Sequence, residues 1–216
     1  MSMPKHMLKM ALLLGAFTVT GAGMVALTHD ATAERISIEE RATLLRTLNS
    51  LVPSTLHDND ISTDIITVAS KEFLGTDQPA TVYRARLKGT PVAAIMSPIA
   101  PDGYSGEIKL LVAIRYDGTL SGVRVITHHE TPGLGDAIEI ERSDWITGFN
   151  GKSLSNPGAA GWRVKKDGGV YDQFTGATIT PRAIVKAVHK CLQYFTANRE
   201  ALFASRPTEV NPHGKQ

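Results

Sequence analysis

A stretch of about 19 residues without a charged side chain, residues 10–28, constrains this chain of 216 residues more than any other feature. A helix of that length covers roughly 30 Å, which is the thickness of the apolar core of a bilayer. Lys5 and Lys9 precede the stretch, and positively charged flanks stay in the cytoplasm. The sequence therefore predicts one membrane helix, a cytoplasmic N-terminus over residues 1–9, and a main domain on the other side.

A cleaved signal peptide is the competing interpretation of the same stretch, because Ala31, Thr32 and Ala33 resemble a cleavage site. The apolar run exceeds the roughly 7 to 15 residues of a signal peptide, which favours an uncleaved anchor. Both interpretations export the domain, and only the anchor keeps it beside membrane partners. Residues 37–40, Ser-Ile-Glu-Glu, resemble a capping box and predict that a membrane-proximal helix starts there and stops at Pro53. With a polar loop at residues 54–64, this segment covers residues 29–64.

Charge and cysteine content exclude several classes of protein. A formal net charge of +2 is too small to indicate a nucleic-acid partner. The single cysteine, Cys191, excludes a disulfide within the chain, and it is too few for an iron–sulfur cluster. A Cys-x-x-Cys-His segment for haem attachment is also missing from the sequence. If the protein moves electrons, a flavin is the remaining natural carrier.

Strand patterns occupy residues 65–126. Apolar and polar side chains alternate over residues 82–87, and the dipeptides Lys88-Gly89 and Asp117-Gly118 are typical of hairpin turns. Residues 97–106, rich in proline and glycine, predict an ordered loop between strands. We therefore predict an α+β fold, a twisted antiparallel sheet with packed helices, over residues 65–206. Residues 207–216 predict a flexible tail.

The segment Asp-Gln-Phe-Thr-Gly-Ala-Thr, residues 172–178, stands just before a predicted amphipathic helix. Pro181 suits the first helical position and Thr180 is a plausible N-cap. An apolar stripe follows at Ile184, Val188, Cys191, Leu192 and Phe195. An anion beside Thr178 would meet unpaired backbone N–H groups and the positive end of the helix dipole. The pattern alone is compatible with a phosphate site at Thr178 or with an ordinary turn and helix cap.

His128, His129 and Glu130 follow a predicted strand and raise the question of a metal site. Neighbouring side chains on an extended chain point in opposite directions, and a third or fourth ligand is not evident, so we expect no metal. The following Pro132 and the glycines Gly133 and Gly135 instead favour a polar loop whose backbone passes close to a flat ligand.

The segment Asp172-x-x-Thr175-Gly176-Ala177-Thr178 resembles the flavinylation motif of the covalent FMN-binding domain family. The resemblance implies that FMN is attached through its phosphate to Thr178. It also implies a separate flavin transferase that uses FAD as donor and recognises the segment around the aspartate and the glycine. A second segment of that family, Glu-Thr-Pro-Gly-Leu-Gly, matches the residues that we expect to contact the cofactor as well: Glu130, Thr131, Gly133, Leu134 and Gly135.

The order of these motifs along the whole chain resembles the family of G subunits of the Rnf (also called Rsx) ion-translocating electron transport complex. The paralogous flavin-binding C-type protein of the sodium-pumping NADH:quinone oxidoreductase is the nearest relative with which it could be confused. The resemblance implies a single-pass subunit of the bacterial inner membrane. Its periplasmic domain would carry covalent FMN and exchange electrons with other membrane subunits, rather than act as an enzyme on its own. The alternatives are a stand-alone periplasmic flavoprotein reductase and an exported interaction module without redox chemistry.

A few other side chains carry weaker expectations. We expect Cys191 to be a small buried hydrophobic residue and His189 to face solvent. Trp145, beside a predicted helix start, is either part of the core or a neighbour of the cofactor. Lys165 and Lys166 predict a solvated turn. We expect no general base and no nucleophilic triad, since the chemistry would belong to the cofactor.

Overall fold

The computed structural model describes residues 3–204, which divide into two compact units, residues 1–46 and residues 47–216. The first unit belongs to helix α1, Met3–Leu51. Within it, His6–Ala33 is long and apolar enough to cross a membrane. Its large apolar side chains are exposed, Leu14 and Phe17 by 70% and 73%. An exposed apolar surface of this extent is what a bilayer would cover.

Helix α1 does not begin at the predicted capping box, because it runs without interruption through residues 37–40. Residues 29–36 contain neither proline nor glycine, so nothing in the backbone ends the first helix before the second would start. The predicted stop is confirmed: α1 ends at Leu51, two residues before Pro53. Leu48, Leu51 and Val52 are almost fully buried in the second unit.

The second unit contains a six-stranded antiparallel sheet. Its strands are β1 (Ile65–Ser70), β2 (Thr76–Leu87), β3 (Thr90–Met96), β4 (Ile99–Gly103), β5 (Gly106–Arg115) and β6 (Leu120–Thr127). Strand β5 is central, because it pairs with β3, β4 and β6. Both predicted hairpins are confirmed: Lys88 and Gly89 connect β2 to β3 at positive φ, and Gly118 turns β5 into β6.

The predicted loop over residues 97–106 is wrong, because Ile99–Gly103 forms strand β4. Ile99 and Ala100 pair with Lys109 and Ile108 of β5, and Ala100 is buried. The register of the two strands shifts after Ala100, next to Pro101. Proline is tolerated at such irregular positions of a strand, so the composition concealed a real pairing.

Helix α3, Ile179–Phe203, packs on the sheet and completes the core. The predicted apolar stripe is confirmed, since all five of its members are at most 1% exposed: Ile184, Val188, Cys191, Leu192 and Phe195. Between β6 and α3 the chain forms short 3₁₀ turns around an aromatic cluster in which Phe149 stacks on Tyr171 at 4.6 Å. Residues 128–178 therefore lie on a rigid base.

Two arginines of β2 hold the C-terminal end of α3. Arg84 donates hydrogen bonds to the carbonyls of Leu202 (3.4 Å) and Ala204 (3.0 Å), and Arg86 donates to the carbonyl of Phe203 (2.9 Å). Asp64, at the start of the sheet, pairs with both arginines. Positive charge at this end of a helix opposes its dipole. The sheet therefore fixes the direction of α3 and, with it, the position of its first turn.

We expect Gly75→Ala to destabilise the fold much more than Gly89→Ala. Both glycines adopt positive φ, +73° and +78°, so both substitutions carry the same backbone strain of about 1–2 kcal/mol. A Cβ on Gly75 would lie 2.0 Å from the carbonyl oxygen of Ile99, whereas a Cβ on Gly89 would have nothing within 4 Å. The collision adds about 1–3 kcal/mol. Denaturant unfolding of the full chain in detergent measures the difference, and equal losses would contradict this packing of α2 (Lys71–Leu74) against β4.

Candidate functional site

Thr178 stands at the N-cap of α3, with φ −73° and ψ −24°, and the helix begins at Ile179. The predicted N-cap, Thr180, is therefore wrong, because that residue lies inside the first turn and is fully buried. Its hydroxyl donates a short hydrogen bond to the carboxylate of Glu130, which is 50 residues away in the sequence. A hydroxyl engaged by a distant partner is not available to cap its own helix.

The surroundings of Thr178 are suited to an anion. Its side chain is half-buried and makes no capping hydrogen bond. The first N–H groups of an α-helix have no acceptor within the helix, and they form its positive end. Gly176, two residues earlier, adopts φ +81° and leaves the approach free of a side chain. A phosphate ester on the Thr178 hydroxyl fits this arrangement of donors and space.

The loop of residues 130–135 lies against the turn that carries Thr178. Glu130 is 5% exposed, and its Oε1 accepts the backbone N–H of Ser105 at 3.0 Å while its Oε2 accepts the Thr180 hydroxyl. The carboxylate thus joins three separate segments of the chain. Because both oxygens already have protein donors, Glu130 acts on the site by holding the loop to the helix.

The glycines of this loop allow that close approach. The N–H groups of Leu134 and Gly135 donate to the Thr131 carbonyl at 3.1 and 3.0 Å and close a tight turn, in which Gly133 adopts φ +77°. A Cβ on Gly135 would lie 2.8 Å from the Glu130 Cβ and 3.2 Å from the Thr180 hydroxyl oxygen. Only glycine fits between the carboxylate and the helix.

Two exposed apolar side chains flank the anion position. Leu134 is 45% exposed, and its Cδ2 lies 3.6 Å from the place of a Cβ on Gly176. Ile179, the residue after Thr178, is 46% exposed. An exposed apolar surface beside a phosphate-compatible helix start suits a ligand with one charged end and one flat apolar part.

Asp172, at the start of the motif, lies on the surface. Its carboxylate pairs with Lys165 at 2.6 Å, with side-chain exposures of 67% and 56%. Its backbone carbonyl accepts the indole N–H of Trp145 at 2.8 Å, and the Trp145 ring packs edge-on against Phe174 at 5.1 Å. Trp145 therefore supports the exposed turn that contains Thr175, Gly176 and Ala177. No sequence pattern indicated this contact, which joins segments 27 residues apart.

Arg182, one turn into α3, holds a second surface segment against the helix. Its guanidinium donates two hydrogen bonds to the carboxylate of Asp167, both at 2.6 Å, and this pairing lowers the pKa of Asp167. The predicted solvated turn at Lys165 and Lys166 is thus fixed from both sides, by Arg182 and by Asp172. Sequence patterns did not indicate Arg182, because its partner lies 15 residues upstream in an irregular segment.

Two further expectations concern α3. The prediction that His189 faces solvent is wrong, because its ring stacks on Trp162 with centroids 5.3 Å apart, and burial lowers its pKa. Cys191 is fully buried, as expected, and burial raises the pKa of its thiol, so it does not form a reactive thiolate. Among residues 3–204, no group of three or more His, Cys, Asp or Glu side chains is arranged to hold a metal ion.

Comparison with known proteins places this geometry in a family context. The chain matches the FMN-binding domain over residues 103–193 and the RnfG N-terminal region over residues 1–51. Helix α1 therefore falls in the second match, and the Glu130 loop and the Thr178 turn both fall in the first.

Curated relatives match nearly the whole chain. One from Pseudomonas aeruginosa is 51% identical over 97% of each chain, and one from Pseudoalteromonas atlantica is 49% identical over 91% of this chain and 92% of that one. Both are named as the G subunit of an ion-translocating oxidoreductase complex. A solved structure, NqrC of Shewanella oneidensis, is 24% identical, covers 67% of this chain and 75% of that chain, and has a TM-score of 0.46.

Proposed function

We propose, from the premise that this chain belongs to the family of G subunits of ion-translocating oxidoreductase complexes, that it carries FMN as a phosphoester on Thr178. The chain is an electron-transfer flavin subunit of a multisubunit complex, and we propose that the complex couples this transfer to ion movement. The observation that supports Thr178 as the attachment point is its place at the start of α3, with its hydroxyl uncapped and Gly176 beside it.

The roles of the chain's own residues follow from the geometry of the site. Bound FMN supplies the capacity to take up and release one or two electrons. The first-turn N–H groups of α3 would stabilise the phosphate charge at Thr178. Leu134 and Ile179 would cover part of the apolar ring with side chains that are otherwise exposed. Glu130 would keep the loop and the helix together, and Gly133 and Gly135 would let the loop approach.

We propose that a separate flavin transferase attaches the cofactor, with FAD as the donor. In that step the bond between the Thr178 oxygen and the FMN phosphorus forms, the phosphoanhydride bond of FAD breaks, AMP leaves, and the threonine hydroxyl gives up its proton. The exposed turn from Asp172 to Ala177 would be the part that the transferase recognises, because it projects from the surface and is not needed for the core.

Covalent attachment has a physical reason in this location. A ligand that dissociates at about 1 μM is held by only roughly 8.2 kcal/mol, and a flavin lost outside the cytoplasm would be poorly replaced. A bond through the phosphate prevents that loss and leaves the ring itself unmodified. The chain then has to supply position, hydrogen bonds and local polarity, and it needs no acid–base machinery of its own.

We further propose that the chain crosses the bacterial inner membrane once, with residues 10–28 as the span and residues 1–9 in the cytoplasm. The apolar helix His6–Ala33 and the basic residues before the span support this orientation. Residues 29–64 would connect the membrane to a periplasmic FMN-binding domain of residues 65–206. The tail expected at residues 207–216 lies outside the residues that the structure describes.

Purification of the membrane complex tests this function against its alternatives. We expect the tagged full-length chain, extracted in mild detergent, to bring down other membrane subunits and to show flavin fluorescence in its own band after denaturing electrophoresis. Fluorescence without co-purifying subunits would indicate a stand-alone reductase. Co-purifying subunits without fluorescence, in cells that contain the transferase, would indicate an interaction module without redox chemistry.

A further inference from the structure

Glu130, which holds the 130–135 loop to the first turn of α3, is itself held by a chain of hydrogen bonds that reaches the surface. Its backbone N–H donates to Nδ1 of His128 at 3.0 Å, and Nε2 of the same ring lies 2.8 Å from Oε1 of Glu139. The other oxygen of Glu139 faces Arg142 at 3.6 Å. The order of contacts is Arg142, Glu139, His128, Glu130 and Thr180.

These contacts assign one tautomer to His128. A backbone N–H only donates, so Nδ1 must accept, and the ring hydrogen resides on Nε2. That hydrogen is directed at the Glu139 carboxylate, which accepts it and fixes the plane of the ring. The other tautomer would place a hydrogen on Nδ1 against the N–H of Glu130. Glu139 therefore keeps His128 in the form that can hold Glu130.

The burial of these side chains increases from the surface towards the site. The Arg142 side chain is 62% exposed, Glu139 36%, His128 12%, and Glu130 is 5% exposed as a residue. At the inner end the Glu130 carboxylate lies between two glycines: a Cβ on Gly103 would be 2.9 Å from Oε1, and one on Gly135 would be 2.9 Å from Oε2. The carboxylate has no room to move unless the backbone N–H of Glu130 also moves.

We propose that His128 and Glu139 are positioning residues for the attachment of flavin to Thr178. Through Glu130 they fix the loop beside Gly176 and the buried hydroxyl of Thr180, two residues after Thr178. Neither side chain needs to touch the cofactor. The effect on attachment rests on the proposed function, whereas the effect on the loop is a property of the unmodified chain.

Hydrogen exchange of the unmodified full-length chain in detergent tests the effect on the loop. The reporters are the amides of Leu134 and Gly135, which donate to Thr131, and the reference is the amide of Val112 in the centre of β5. In His128→Ala we expect the loop amides to exchange about tenfold faster, which corresponds to one strong hydrogen bond, while Val112 is unchanged. His128→Asn places an amide oxygen where Nδ1 accepts, so it should restore most of the protection.

Substitutions at Glu139 provide a second comparison that does not empty a buried site. Glu139→Gln keeps an oxygen that accepts from Nε2 and should exchange as the wild type does, whereas Glu139→Ala should exchange faster. The same four variants, produced with the transferase, should show slower flavin attachment for both alanine variants and near-normal attachment for the two amide variants. Mass spectrometry of the chain over time gives these rates.

The two readouts separate the possible failures. If the alanine variants exchange and become modified at the wild-type rate, the positioning role of His128 and Glu139 is wrong. If they exchange faster at the loop and at Val112 alike, the contacts support the whole fold rather than the site, which also contradicts the inference. If the wild type carries no flavin at all, the proposed function fails, and the exchange comparison still decides whether these residues hold the loop.

Discussion

Thr178→Ala should abolish covalent flavin while leaving the fold intact. The hydroxyl of Thr178 makes no capping hydrogen bond and the residue is half-buried, so its loss should change the free energy of unfolding by less than about 0.5 kcal/mol. The same hydroxyl is the only atom of the side chain that can form a phosphoester. We therefore expect no fluorescence in the denatured band of the variant when the wild-type band is fluorescent.

Thr178→Ser is the matched control, because it keeps the hydroxyl at the helix start and removes only a methyl group. It should accept flavin, although more slowly if the methyl group helps to orient the oxygen. Circular dichroism of both variants checks that the fold is retained. A Thr178→Ala chain that is folded and still fluorescent after denaturation would move the attachment to another residue and would contradict the site described above.

Asp64→Ala should produce the largest loss of stability among the substitutions outside the apolar core. Asp64 accepts hydrogen bonds from Arg84 Nε at 2.7 Å and from Arg86 Nε at 3.0 Å. The Arg84 side chain is 8% exposed, so removal of Asp64 leaves a buried guanidinium without its carboxylate. Breaking such a pair typically costs about 3–5 kcal/mol, and the partial exposure of Asp64 places the expected loss near the lower end.

Asp77→Ala is the control for this prediction, because it removes one carboxylate from an ion pair whose partners, Lys71 and Asp77, are 74% and 70% exposed. Exposed pairs contribute little to stability, so the unfolding midpoint should hardly change. Denaturant unfolding of the full chain in detergent, followed by circular dichroism, compares the two variants. Similar midpoints for both would show that the Arg84 and Arg86 contacts do not anchor the end of α3.

Local patterns in the sequence predicted the elements whose partners are close in the chain. The apolar stripe of α3 and the hairpins at Lys88-Gly89 and Asp117-Gly118 follow from spacing and turn chemistry, and the structure confirms them. The continuous helix α1 was missed for a different reason. A capping box also occurs inside helices, and only a backbone break before Ser37 would have made it a helix start.

Contacts between distant segments could not be predicted in this way. The Thr180 hydroxyl is a plausible cap by sequence, and its real partner is the carboxylate of Glu130, 50 residues earlier. His189 suited the polar side of a helix, and Trp162 covers it from a segment without regular structure. In the same way, the resemblance of the two motifs indicated a shared role, but the sequence did not show that Glu130 holds the loop to the helix.

The most direct test of the central claim is mass spectrometry of the peptide of residues 167–182 that trypsin releases from the matured chain. This peptide contains Thr175, Thr178 and Thr180, so fragmentation distinguishes the three hydroxyls. We predict a mass increased by that of one FMN less one water, with the added mass on Thr178. An unmodified peptide from cells that contain the transferase, or the added mass on Thr175 or Thr180, would contradict the proposed site.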